Sequence, residues 1–339
     1  MSQYSKYICS TLEKKHLLPG PTPEEREKLA ADGWRIRMES VLWIDSDVLP
    51  GAYYGEAAWI WPSFYPNQIT ETELRKRTSG GGPPMFPHTH TFPELLSWWG
   101  SDPENPDDTT SMTMIMGDEE LRLDNSWVAY IPAGMYHMPG RVPDGKQTTL
   151  PIYHWTFGPG AYTRETDETH DSPGGDTDIP IPGSPKKNTQ ENLKYFVLGG
   201  QQKGIQRPDF MRELDPRYVK DLAYIDETVI PEAELGCDAK VLLPGNATDS
   251  EAVIMDPHTL PYGTSITLVS MNYDDITDLC AEAELWIGGE KHIIHKNFGV
   301  YIPPGVEQGP FIVRNISKKL FFVMAFPIGN GIKKYPGGC

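Results

Sequence analysis

The sequence is poor in cysteine, in clustered positive charge and in long apolar runs, and each shortage excludes a class of protein. Only 4 of the 339 residues are cysteine, and no two of them form a Cys-x-x-Cys pair. That number is too small for a disulfide framework in a chain of this length. No segment is apolar for long enough to span a bilayer as a helix. Because the first residues also lack the apolar core of a secretion signal, we expect a cytoplasmic protein.

The charge balance is strongly acidic. Asp and Glu number 47 against 30 Lys and Arg, which gives a formal net charge of −17. A protein that binds nucleic acid or an anionic membrane needs a basic face, and the chain has no run of Lys or Arg to supply one. We therefore expect neither partner, and we interpret the acidic excess as a solvated surface.

Helical patterns are also scarce. Residues 22–31 begin with Thr-Pro-Glu-Glu, which predicts a short surface helix, and we expect another turn or two of helix between 208 and 224. The chain instead contains 32 Gly and 32 Pro, which separate short apolar or alternating runs such as 152–157 and 320–326. This pattern is typical of strands between turns, and it predicts an all-β protein with a few short helices.

A diverged internal repeat organises the chain. The segment 130–134 (YIPAG) recurs as 301–305 (YIPPG), and 116–119 (MGDE) recurs as 287–290 (IGGE). Both pairs stand at the same offset of 171 residues. A fixed offset between matching turns predicts one structural unit written twice.

The repeat and the composition together predict the domain organisation. Near the front of each unit, 6–8 (KYI) matches 194–196 (KYF). Between the units, 165–190 is crowded with Asp, Gly, Pro, Ser and Thr, which is typical of a linker. We therefore predict a first β domain at 1–164, a polar linker at 165–190 and a second β domain at 191–339.

The first unit contains a cluster of residue types that bind metals. His88, His90 and Glu94 stand close together, and His137 follows the turn Pro132-x-Gly134. Residues at i and i+2 of a strand share one face, and a Pro-x-Gly turn can present a further histidine from a neighbouring strand. Three imidazoles and one carboxylate suit a divalent transition metal. The alternative is a cluster of hydrogen-bonded core histidines, although burying so many polar groups is costly.

The pattern His88-x-His90-x-x-x-Glu94, followed by Pro132-x-Gly134-x-x-His137, resembles both signature motifs of the cupin superfamily. Because the Pro-x-Gly turn occurs twice, the chain resembles a bicupin. The resemblance implies two double-stranded β-helix (jelly-roll) barrels in one chain. It also implies one divalent ion of Fe, Mn, Ni or Zn in the first barrel, with those three histidines and Glu94 as its ligands.

The second unit departs from this pattern. Gln308 stands at the position that corresponds to His137, and no histidine occurs from 259 to 291, where we expect the counterparts of the first two ligands. We therefore predict that the second barrel has lost the metal site. The segment 92–106 further resembles a group of microbial bicupins that has no assigned reaction.

The resemblance favours a metal-dependent enzyme that acts on a small oxygen-rich molecule, with a dioxygenase ahead of the alternatives. A metal-dependent isomerase or a lyase such as a decarboxylase stays open, and so does a non-catalytic binding or sensing protein. Glu94 is the candidate catalytic residue, because a carboxylate ligand lowers the net charge of the metal and can leave it to act as a base. We also expect a homodimer, since bicupins often associate through their outer sheets.

Three further residues are candidate substrate contacts. Trp98 has the same strand parity as Glu94, and His154 shares one face of a predicted strand with Thr156. Tyr130 is the third candidate. Trp98 can instead be a packing residue, and His154 can instead be an ordinary hydrogen-bonded histidine. For Tyr130 the alternative is core packing, which is the favoured interpretation.

Overall fold

The computed structural model describes residues 3–13, 38–61, 89–102, 112–141, 151–159, 186–187, 189–245 and 251–337. The fold is all-β, as the sequence predicts. The strands of the first half are β1 (Ile8–Cys9), β2 (Met38–Ile44), β3 (Tyr54–Ile60), β4 (Glu94–Gly100), β5 (Met112–Met116), β6 (Glu119–Leu123), β7 (Trp127–Ile131), β8 (His137–Arg141), β9 (Ile152–Gly158) and β10 (Lys186–Lys187).

The second half repeats this plan. Its strands are β11 (Phe196–Leu198), β12 (Val219–Ile225), β13 (Leu235–Leu242), β14 (Ala252–Met255), β15 (His258–Thr259), β16 (Thr264–Ser270), β17 (Asp278–Ile287), β18 (Glu290–Lys296), β19 (Phe298–Ile302), β20 (Glu307–Arg314) and β21 (Leu320–Pro327). Two 3₁₀ turns (Ser5–Tyr7 and Glu191–Tyr195) and one short helix, α1 (Gly331–Lys334), accompany them.

The helix predicted at 22–31 and most of the linker at 165–190 lie outside the described residues. The helical turns expected between 208 and 224 are absent from that described segment, where β12 begins instead.

Each barrel is a pair of sheets. In the first, a six-stranded sheet of order β11-β7-β4-β9-β3-β2 faces a four-stranded sheet of order β10-β6-β5-β8. In the second, β1-β19-β16-β21-β13-β12 faces β14-β20-β17-β18, with β15 paired to β20. Neighbouring strands are antiparallel apart from β10 and β6. Sequence-distant strands therefore lie side by side, as in a jelly roll.

The two halves exchange their opening strands. β1 pairs with β19 of the second barrel, and β11 pairs with β7 of the first. These are the strands next to the matched segments 6–8 and 194–196. The domain bounds predicted from the repeat stay a prediction. At β1 and β11, however, each strand belongs by sequence to one predicted domain and pairs with the sheet of the other. Hydrogen bonding between distant strands leaves no local pattern in the sequence, so this exchange was not predicted.

The repeat extends further than the sequence comparison indicates. The hairpin β2–β3 and the hairpin β12–β13 both contain a bulge in the first of their strands. The turn that follows is capped in the same way in both halves: Asp45 accepts the backbone N–H of Asp47 at 3.0 Å, and Asp226 accepts that of Thr228 at 2.9 Å. Strand geometry and turn chemistry are thus shared where few residues are identical.

Large aromatic side chains fill the space between the two six-stranded sheets. The rings of Tyr153 and Phe321 stack at 4.3 Å, and Trp59 lies 6.0 Å from Phe321. Since successive strand residues point to opposite faces, the alternate residues of β9 and β3 point into the first barrel.

Among the described residues no helix is both long and apolar enough to cross a membrane. The cytoplasmic location and the homodimer stay predictions.

Candidate metal centre

Three of the four predicted ligands meet inside the first barrel. Glu94 opens β4, His137 opens β8 on the facing sheet, and His90 lies just before β4; all three side chains are buried. The Nε2 atoms of His90 and His137 each lie 3.3 Å from Glu94 Oε2. The three ligand atoms lie within 4.8 Å of one another. His88 lies outside the described residues, so its place in the group stays a prediction.

The Pro-x-Gly turn holds two of these residues in position. Gly134 has a φ of +76°, a conformation that glycine adopts readily, and its N–H donates to the carbonyl oxygen of His90 at 2.7 Å. The Nδ1 atom of His137 lies 2.9 Å from the carbonyl oxygen of Met135. A carbonyl can only accept, so Nδ1 carries a hydrogen, and Nε2 is the ring atom that faces Glu94.

The environment of Glu94 favours the ionised carboxylate. Burial alone raises its pKa, but His90 and His137 outweigh that effect and hold the pKa well below its usual value. Thr156 on β9 donates its hydroxyl hydrogen to Glu94 Oε1 at 2.5 Å, which leaves Oε2 for the imidazoles. Two imidazole nitrogens and one carboxylate oxygen at this spacing fit a divalent transition metal.

Trp98 and His154 lie deeper on the same barrel wall. They are opposed on β4 and β9, and their rings lie 6.3 Å apart in a T-shaped arrangement. Since Thr156 reaches Glu94, strand alternation places His154 on the same inward face. Burial lowers the pKa of His154 to about 4, and its Nδ1 lies 3.1 Å from the carbonyl oxygen of Ser97. A role for Trp98 or His154 in binding substrate stays a prediction.

Tyr130 lies on the other side of the sheet, so the prediction that it contacts substrate in this barrel is wrong. It is opposed to Leu95, whereas Ile131 is opposed to Glu94. Its ring lies 6.5 Å from that of Tyr195, and burial raises its pKa. Alternation along β7 therefore turns Tyr130 away from the metal group, in agreement with the packing alternative.

Two functional candidates are missed by sequence reasoning. The sequence marks Thr156 only as a neighbour of His154, not as the donor to Glu94. Glu56 stands in β3, is buried, and is opposed to Thr156 on β9, so it also faces the barrel interior. Ser40 donates its hydroxyl hydrogen to Glu56 Oε1 at 2.5 Å. A single carboxylate in the otherwise uncharged strand Tyr54–Ile60 is the signal that could have identified it.

The second barrel replaces the metal group with neutral side chains. Thr264 is opposed to Ile302 just as Glu94 is opposed to Ile131, so Thr264 takes the place of the carboxylate. Its hydroxyl donates to Oε1 of Gln308, the counterpart of His137, at 2.9 Å. These two positions therefore carry neutral side chains, and the loss of the second metal site stays a prediction.

The histidine positions of the second barrel can also be assigned. The N–H of Gly305 donates to the carbonyl oxygen of Leu260 at 2.9 Å, as that of Gly134 does to His90, so Leu260 replaces His90. His258 stands two residues earlier, at the position that His88 has in the first motif. The counterparts of the first two ligands were expected between 259 and 291, and His258 lies one residue before that range, so the expected range was wrong by one residue. Its ring stacks on Phe210 at 3.6 Å.

Comparisons with known proteins support this architecture. Neither a family model nor a curated protein matches the sequence. A serine-to-alanine mutant of Bacillus subtilis oxalate decarboxylase OxdC is similar in structure, with a TM-score of 0.52 and 11% sequence identity over 97% of this chain and 78% of that chain. A glutamate-to-alanine mutant of the same enzyme gives the same values. At this identity the likeness shows the fold alone, which is two jelly-roll barrels in one chain.

Proposed function

We propose that this protein is a metal-dependent lyase that acts on a small carboxylic acid inside the first barrel. The observation that carries the proposal is the buried group of His90, Glu94 and His137, whose ligand atoms lie within 4.8 Å of one another. The names of the similar structures support a decarboxylase among the lyases. The sequence-based preference for a dioxygenase is not confirmed.

Each residue of the group has a separable task. A bound divalent ion supplies a Lewis acid that attracts the oxygen atoms of a carboxylate substrate. His90 and His137 present Nε2 lone pairs, and we include His88 as a fourth ligand on the spacing of the motif. Glu94 contributes the negative charge that lowers the net charge of the site. Thr156 fixes Glu94 Oε1, so that the other carboxylate oxygen faces the histidines.

Burial adds to the effect of this donor set. His137 is fully buried and Glu94 is only 6% exposed. In a site from which water is excluded, charges and dipoles interact more strongly than in solvent. Substrate oxygens that enter the barrel are therefore held against fixed side chains rather than against mobile water.

The proposal is tested by metal content and by reaction products. The protein is purified without oxygen, its metals are measured, and it is incubated with acids of two to four carbons while CO₂ release and O₂ uptake are followed. We expect one divalent ion per chain and CO₂ release without stoichiometric O₂ uptake. O₂ uptake matched to substrate loss would move the assignment to the dioxygenase, and a metal-free chain would refute it.

A matched pair of variants places the metal in the first barrel. His137→Ala removes a ligand, and we expect it to lose the metal and the activity. Gln308→Ala changes the equivalent position of the second barrel, and we expect it to retain both. If the two variants retain equal amounts of metal, the ion is not held by the group that we describe.

A further inference from the structure

The two barrels differ in what covers one pair of corresponding strand edges. β6 begins at Glu119 and β18 begins at Glu290, which is the same position of the repeat. Glu119 Oε2 accepts the N–H of Asn192 at 2.8 Å, and Glu290 Oε2 accepts that of Tyr4 at 3.3 Å, so the surroundings correspond as well. In the first barrel β10 pairs with the outer edge of β6, whereas among the described residues no strand pairs with that edge of β18. The edge that binds a strand in one barrel is therefore open in the other.

The turn before β18 determines which backbone groups face the open edge. The glycines at 288–289 form a two-residue turn with φ of +57° and +80°, and Ile287 is opposed to Glu290. A turn of this kind closes on a hydrogen-bonded pair, and bonded and non-bonded pairs then alternate along the hairpin. The N–H and C=O groups of every second residue therefore point away from β17, namely those of Lys291, Ile293 and His295. In the described part of the chain, no backbone hydrogen bond reaches these three residues.

The side chains along this edge are exposed, and the central one is apolar. Ile293, the middle residue of β18, is 43% exposed, the largest value among the large hydrophobic side chains that the structure describes. Lys291 and His295 are exposed on the same face of the strand. A groove of about 480 Å³ lies between this edge and side chains of the segment 5–10. A long open edge with a groove beside it is a template for pairing with a further strand.

The sequence of β18 is complementary to itself when a second copy runs antiparallel about Ile293. In that register Ile293 opposes Ile293 of the second copy, and Lys291 opposes His295. The residues whose backbone groups face the edge then meet one another, and they can exchange about six hydrogen bonds. Glu290 opposes Lys296, which has the opposite charge, and this pair occurs twice by symmetry. A shift by two residues, the smallest that keeps the backbone groups facing each other, removes the charge pairing.

We infer that the open edge of β18 binds the same edge of a second copy, so that the sheets β14-β20-β17-β18 of two chains form one continuous sheet across a two-fold axis. A contact of this kind is isologous, so each favourable pair counts twice. The inference specifies a sheet edge, whereas the sequence-based expectation of a homodimer named the outer sheets. Because the metal group lies in the other barrel, the inference is independent of the proposed function.

A cysteine at the two-fold axis tests the register directly. Ile293→Cys places a thiol opposite its own copy with the Cα atoms about 5.5 Å apart, which is within the range of a disulfide. Lys291→Cys is the matched control on the same exposed face, because its own copy lies about 13 Å away along the paired strands. After mild oxidation we expect a covalent dimer of Ile293→Cys on a non-reducing gel, and none of Lys291→Cys or of the wild type.

A second experiment measures the oligomeric state of the full chain by sedimentation velocity over a range of concentrations. We expect the wild type to be a dimer. Ile293→Pro removes the central N–H of the open edge without removing a hydrogen bond between β18 and β17, and we expect a monomer with an unchanged circular dichroism spectrum. Ile293→Val is its control and stays dimeric. If Ile293→Pro does not fold, the cross-linking pair decides the question.

The charge pairing is tested separately. Lys296→Glu places like charges opposite each other twice, and we expect the dissociation constant of the dimer to rise at least about tenfold, with Lys296→Gln between this variant and the wild type. The inference is overturned by a wild-type chain that stays monomeric, by a dimer that persists in folded Ile293→Pro, or by equal cross-linking of Lys291→Cys and Ile293→Cys. Each of these results leaves the proposed function standing, since none concerns the metal group.

Discussion

The buried imidazole of His154 makes the stability of the first barrel depend on pH. Burial lowers its pKa to about 4, from an ordinary value of 6.5. The folded protein therefore keeps a neutral ring at neutral and mildly acidic pH, with Nδ1–H donated to the carbonyl oxygen of Ser97. The substitution His154→Gln retains an N–H donor for that carbonyl and removes the titrating group.

The sign and size of the effect follow from the two pKa values. Below pH 6.5 the unfolded chain takes up a proton at His154, whereas the folded chain does so only near pH 4. Between these values the unfolded state binds more protons, so the free energy of unfolding falls as the pH falls. At pH 5 this group lowers the free energy of unfolding by about 2 kcal/mol relative to pH 8, and by about 3 kcal/mol at the acidic limit.

The assay is urea unfolding of the metal-free protein at pH 8 and pH 5, for the wild type and for His154→Gln. We expect the wild type to lose about 2 kcal/mol more than the variant between the two pH values. A cost of the substitution that is the same at both pH values cancels in this difference. If both proteins lose the same free energy, His154 is not a buried neutral imidazole, and the placement of its face inside the barrel is refuted.

Three further perturbations address other contacts. Thr156→Val removes the hydroxyl that donates to Glu94, and we expect metal affinity to fall about 10- to 100-fold in chelator competition, whereas Thr156→Ser stays close to wild type. Removal of the metal with a chelator is expected to lower the melting temperature, since metal at 100 times its dissociation constant contributes about 2.7 kcal/mol. Asp238→Asn leaves the buried ammonium of Lys240 without its anion, and we expect a loss of about 3–5 kcal/mol in urea unfolding; unchanged stability would show that the pair is not buried as described.

The sequence was sufficient for the parts of the site that depend on short spacings. His90 and Glu94 stand four residues apart, and the Pro-x-Gly turn fixes the approach of His137, so local geometry alone predicts that they converge. The predicted loss of the second site has the same basis, because Gln308 follows the repeated turn at the position of His137. Two all-β units were predictable from the repeat and from the many short strands, whereas the jelly-roll barrels were implied by the resemblance to the cupin superfamily.

The parts that sequence reasoning missed depend on pairing between distant strands. Alternation along β7 shows that Tyr130 and Val128 share a face, but only the register with β4 reveals that this face points away from Glu94. Glu56 is separated from Thr156 by a long stretch of chain, and only the pairing of β3 with β9 brings them together. The exchange of β1 and β11 has the same origin.

The second barrel stabilises the first although it lacks the metal group. β11, which comes from the second half of the chain, pairs with β7, which lies beside the strand that carries Glu94. Without it the N–H and C=O groups of β7 would form an open sheet edge, and such edges are prone to pair with other chains. Phe321 covers the outer face of β9 through its stack on Tyr153, on the same strand as Thr156 and His154. The second barrel thus supports the strands that carry Glu94 and its hydrogen-bond donor, and this structural role does not depend on a metal of its own.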